Sequence, residues 1–169
     1  MDTTLSLKDI DSKTEDLLES VFGDIKTIKL PIDLNRIADH YNLTIMQGDF
    51  DDPDIEGAFD RANGTVFLSQ GDGFEEKNFT LAHELGHYKL HEEVDRDIFT
   101  MHQLKDLLER QGEDPREDQA DQFAASLMMP KKLVLLLWEA SSKNVDVIAQ
   151  IFGVPQTVAI FRLKALKLI

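Results

Sequence analysis

The chain has 169 residues, 42% of them hydrophobic and 8% aromatic, which suits one packed domain and excludes a disordered polymer. A formal charge of −14 argues against broad nucleic-acid binding, which needs a basic face to meet phosphate, and the lack of cysteine excludes disulfides and thiolate metal sites. No apolar run approaches the roughly 18 residues that cross a bilayer, and Met1-Asp2-Thr3-Thr4-Leu5 lacks the features of a signal peptide, so the expectation is a cytoplasmic protein with no membrane contact.

The predicted elements begin with a helix over residues 11–22, striped by Leu17, Leu18, Val21 and Phe22 and ended by Gly23. A second helix opens at Pro31-Ile32-Asp33-Leu34 and runs to about Tyr41, followed by a short strand over 43–46. Asp49 to Asp54, with Pro53 among four acids, is a loop. Strands at 55–60 and 65–68 form a hairpin whose turn, 61–64, carries Asn63-Gly64, a tight-turn signal because both residues tolerate positive φ. Beyond Gly73 the apolar spacing turns helical over 74–91, 104–110, 117–128, 131–140, 145–152 and 155–166. The order is α+β, a small antiparallel-containing sheet near the N-terminus packed on a mainly helical body. Residues 92–121 hold eleven acids against four bases, which reads as a solvated face.

The decisive segment is Thr80-Leu81-Ala82-His83-Glu84-Leu85-Gly86-His87-Tyr88, on the predicted helix 74–91. Residues four apart share a helix face, so His83 and His87 can meet one ion. Glu84 then projects beside it as the catalytic carboxylate, able to take a proton from activated water and deliver it to a leaving amine. Gly86 removes bulk where another element could pack close. A catalytic zinc site wants a third protein ligand. His91 extends the series, but eight helical residues rise about 12 Å, too far for three side chains of one straight helix to close on an ion, and a helix-end or supporting role suits it better. The metzincin arrangement also fails, since it would need glycine at 90 and histidine at 93 where the chain has Leu90 and Glu93. The better candidate is Glu117, which a returning helix over 117–128 could bring to the ion, with Asp121 one turn on to accept a hydrogen bond from a ligand histidine. Tyr88, His91 and His102 are candidates to stabilise an oxyanion, and the 65–68 strand is a candidate edge for an extended substrate.

His-Glu-x-x-His followed by Glu-x-x-x-Asp resembles the gluzincins. Residues 79–88 and Glu117 through Phe123-Ala124-Ala125-Ser126-Leu127-Met128-Met129-Pro130, with Pro31-Ile32-Asp33-Leu34 as a weaker third match, are similar to the ImmA/IrrE metallopeptidases. The resemblance implies a thermolysin-like core with His83, His87 and Glu117 as metal ligands, Glu84 as acid/base, and Zn2+, or Mn2+, as the metal. It further implies a protein substrate, a helix-turn-helix repressor or antitoxin, whose cleavage relieves repression on a mobile element or under stress. Asp121 stands where many relatives have Asn. The alternative is a metal-binding transcriptional regulator or interaction partner without proteolytic activity.

We expect residues 1–142 to form the peptidase domain and 143–169 a helix-turn-helix-like unit packed on it. That unit carries Lys143, Arg162, Lys164 and Lys167 against Asp146 alone, a local +3, leaving −17 on the rest. Beyond Gln156 it offers few side chains suited to reading bases, which argues against direct DNA binding.

Overall fold

A computed structural model describes residues 4–92, 98–102 and 104–169. The order is α1 (Leu7–Phe22), α2 (Leu34–His40), β1 (Thr44–Gly48), β2 (Ile55–Asp60), β3 (Thr65–Ser69), α3 (Phe74–Leu90), β4 (Ile98–His102), α4 (Pro115–Met128), α5 (Lys131–Ala140), α6 (Val145–Phe152) and α7 (Gln156–Ala165). The fold is α+β. Local chemistry sets the ends of the helices. Ser6 and Asp9 close a reciprocal capping box that starts α1 four residues before the apolar stripe alone suggests, and Gly23 ends it at φ 85°. Asp33 caps α2 and Asn144 caps α6. Gly153 ends α6 in the left-handed region and lies so close to Pro31 that a Cβ there would stand 2.6 Å from its Cγ, so the turn between α6 and α7 packs against the segment that leads into α2.

The sheet runs in the order β1-β3-β2-β4. β1 pairs parallel with β3, and β2 pairs antiparallel with both β3 and β4. This corrects the expectation for residues 65–68: β3 is an interior strand, because β1 occupies the side left open by the hairpin. The hairpin turn spans residues 61–64 as the sequence predicts, but within it Gly64 alone takes positive φ (61°), and Asn63 is held by its backbone and side-chain amides to Asp60. The predicted helix over 104–110 is a single 3-10 turn, Leu104–Asp106, followed by turns.

Phe59, Val66 and Leu68 of the sheet, Phe79, Leu81 and Leu85 of α3, and Phe123 and Leu127 of α4 belong to one continuous apolar core. α3 runs through its middle: every residue from Phe79 to His87 is buried. The sheet covers one side of α3 and α4 another, which leaves this stretch no wet face.

Candidate metal centre

Two close approaches bring the polar groups of α3 together with its neighbours. At Gly57 in β2, an added Cβ would collide with Thr80 Cγ2 and lie 3.7 Å from Glu84 Oε1, so the sheet rests directly over the site. At Gly86 an added Cβ would lie 3.1 Å from Ala120 Cα and 3.3 Å from Phe123 Cβ. The missing side chain therefore lets α4 lie against α3, and Asp114 with Pro115 starts α4 so that Glu117 falls in its first turn. Gly86→Val is expected to cost about 1–3 kcal/mol by overpacking and to weaken divalent-cation binding by moving Glu117 away. Denaturant unfolding and a cation titration check both.

His83, His87 and Glu117 converge. The two Nε2 atoms are 3.0 Å apart, and the Glu117 carboxylate faces both, with Oε2 3.1 Å from His83 and Oε1 3.2 Å from His87. Ligand atoms on a tetrahedral ion with bonds of about 2.0–2.1 Å lie about 3.3 Å apart, so the triangle is close to the size a small divalent ion needs. Glu117 remains 34% exposed while the histidines are enclosed, leaving the site open on the carboxylate side.

The far nitrogens are held too. Asp121 Oδ1 accepts from His83 Nδ1 at 2.9 Å, which leaves Nε2 to face His87 and Glu117. His91 Nδ1 lies 2.9 Å from His87 Nδ1, so His91 stands behind His87 and does not face the site. Arg61, in the hairpin loop, donates to the carbonyls of His87 (2.9 Å) and His91 (3.2 Å) and closes the end of α3. Arg110 grips Asp121 through Nη2 (2.8 Å) and Nε (3.2 Å), and Gln111 adds a third contact. Arg61, Arg110 and Gln111 carry no motif in the sequence: Arg61 lies in the hairpin loop, and Arg110 and Gln111 lie in turns at the end of the 104–110 segment, whose apolar spacing predicts a helix.

Glu84 is fully buried beside this cluster, and among the described residues neither carboxylate oxygen has a hydrogen-bond partner. Burial pushes it up to about 8. Burial works against a charged His83, yet hydrogen bonds with Asp121 and Glu117 raise it to about 10. Glu117 is held well below the usual carboxylate range, the histidine hydrogen bonds outweighing its burial. Burial lowers His87, and it lowers His91 to about 4. A group whose pKa is raised on folding stabilises the fold at low pH and loses that contribution as pH rises, from 4.5 to about 8 for Glu84 and from 6.5 to about 10 for His83. His87 and His91 act in the opposite sense below 6.5. The metal-free chain should therefore lose stability as pH rises above about 7, and cation binding, which needs an unprotonated His83, should strengthen over the same window. Thermal melts and chelator competition across pH measure the two trends.

Of the oxyanion candidates, Tyr88 is turned away. Five positions on from His83 it lies about 140° round the helix, packed on Tyr41 and Phe59 at ring separations of 5.3 and 5.7 Å. The side chain of His102 lies outside the described residues.

Comparison with solved structures finds a Mycobacterium tuberculosis transcriptional regulator with the same fold, at TM-score 0.69 and 15% identity, over 92% of this chain. The chain spans 46% of that protein's length. No curated protein matches the chain by sequence. The model of a peptidase family described as the IrrE N-terminal-like domain matches residues 25–164, taking in the sheet, α3, α4 and the C-terminal helix pair. With that match over most of its length, the chain belongs to the IrrE N-terminal-like peptidase family.

Proposed function

We propose that the protein is a metal-dependent endopeptidase in which His83, His87 and Glu117 hold a divalent ion, Zn2+ or alternatively Mn2+, and Glu84 is the catalytic acid/base. The observation that carries this reading is the unpartnered, fully buried carboxylate of Glu84 beside three converging ligand groups. A structural metal site has no use for it. The ion would supply Lewis acidity, lowering the pKa of water and polarising the scissile carbonyl. Burial raises the proton affinity of Glu84, and an adjacent divalent ion would draw it back toward neutrality, which suits a carboxylate that takes a proton and returns it to the leaving amine. Asp121 and His91 hold the ligand imidazoles in the tautomers that present Nε2.

The substrate is a protein segment bound in extended form. Gly57 places β2 over Thr80 and Glu84, so β4, the edge strand next to β2, is the edge on the side of the site, while β1 is two strands away. An added strand along β4 would carry one carbonyl to the centre. We read the substrate as a helix-turn-helix repressor or antitoxin, cut to relieve repression in a mobile-element or stress response in the cytoplasm. Residues 1–142 are then the peptidase domain and 143–169 a unit that completes its packing. α7 turns most of its residues inward, with Gln156 and Lys164 exposed, which speaks against a helix that reads DNA bases. Among the described residues no single helix is long and apolar enough to cross a membrane.

A second reading, a metal-binding regulator without proteolysis, is suggested by the regulator that shares the fold. The two separate in one experiment: incubation with the regulator encoded beside the gene, with metal and with chelator. Discrete fragments that appear with metal alone support the peptidase. An intact regulator, together with tight DNA binding by the chain, overturns it.

A further inference from the structure

We propose that Arg110 is a positioning residue of the metal centre, acting through Asp121 on His83. The inference rests on the reading of His83, His87 and Glu117 as a metal-holding set. Asp121 is buried without exposed surface, and both its oxygens are engaged: Oδ1 accepts from His83 Nδ1 and Arg110 Nη2, and Oδ2 accepts from Arg110 Nε and Gln111 Nε2. With donors on both oxygens, the carboxylate cannot turn without losing a hydrogen bond, so the direction of its bond to His83 is fixed. A His83 that gives its Nε2 lone pair to an ion is neutral and offers Asp121 an N–H alone. The ion's own charge lies beyond the imidazole, and the cation in direct contact with this enclosed carboxylate is Arg110, itself only 15% exposed. The two-pronged geometry needs the guanidinium fork, which a lysine cannot reproduce. An asparagine at 121 would bring no charge to balance, so Arg110 matters here because the residue at 121 is an aspartate.

The test is Co2+ titration with chelator competition and visible absorption on the full chain, comparing it with Arg110→Gln, Arg110→Lys, Asp121→Asn and the double variant Arg110→Gln/Asp121→Asn. Arg110→Gln should weaken Co2+ binding by about 10–100-fold, the range for lost support of a ligand histidine, and should shift the Co2+ absorption bands. Arg110→Lys should recover part of that loss. In the Asp121→Asn background, removing Arg110 should change affinity little, because its target carboxylate is gone. Arg110→Gln binding Co2+ as tightly as the unaltered chain overturns the proposal. So does an equal loss in both backgrounds, which would mark a general loosening of the loop. If the unaltered chain binds no Co2+, the metal reading itself fails and takes this inference with it.

Discussion

Glu84→Gln is expected to lower peptide hydrolysis by about 10²–10⁴-fold, the usual contribution of a positioned acid/base, while leaving metal affinity within a few-fold. The substitution keeps the shape and removes the ability to take a proton. Glu84 is not one of the three converging groups, so the ion should be held as before. Its oxygens are buried and unpartnered, and a neutral amide avoids the cost of burying charge there, so the variant should be at least as stable as the parent above neutral pH. Cleavage rates with metal content measured on the same samples check it. Cleavage that continues at the parent rate would remove Glu84 from the chemistry.

The largest effect on stability is expected far from the site. Arg162 is fully buried on α7, donates to Asp11 Oδ1 of α1 at 2.7 Å and to the Met129 carbonyl at the end of α4 at 3.0 Å. One side chain thus ties three helices across the back of the core. Burial lowers its pKa, with Asp11 opposing the shift. Asp11→Ala should cost about 3–5 kcal/mol, because it strands a buried charge. Replacing both partners by apolar residues, Asp11→Leu with Arg162→Met, should recover much of that loss. Denaturant unfolding of the single and double variants measures it. A loss for Asp11→Ala below about 1 kcal/mol would mean that water or another group takes over from the carboxylate.

Much of this arrangement could be read from the chain because its signals are local. Helical spacing put His83, Glu84 and His87 on one helix, and the helix predicted at 117 begins two residues before Glu117, where Asp114 and Pro115 start it. The hairpin strands were bounded by turn residues at both ends. What was not legible depends on tertiary partners. β4 follows α3 in the densest acidic stretch and joins β2 across some forty residues, with no turn to announce the pairing. The parallel pairing of β1 with β3 moved 65–68 from edge to interior. The apolar residues at 104–110 read as a helix, but Leu104 and Leu107 are buried from a 3-10 turn and a loop, and that loop delivers Arg110 to Asp121. Tyr88 was a donor candidate by proximity in sequence, and helix geometry sends it to the opposite face.

The central claim is that His83, His87 and Glu117 form one metal centre. Anomalous diffraction at the zinc edge, from crystals grown with stoichiometric Zn2+, tests it most directly. The account predicts one strong peak per chain within about 2.0–2.2 Å of both histidine Nε2 atoms and a Glu117 oxygen. A peak elsewhere, or none while the three side chains remain as placed, would contradict it.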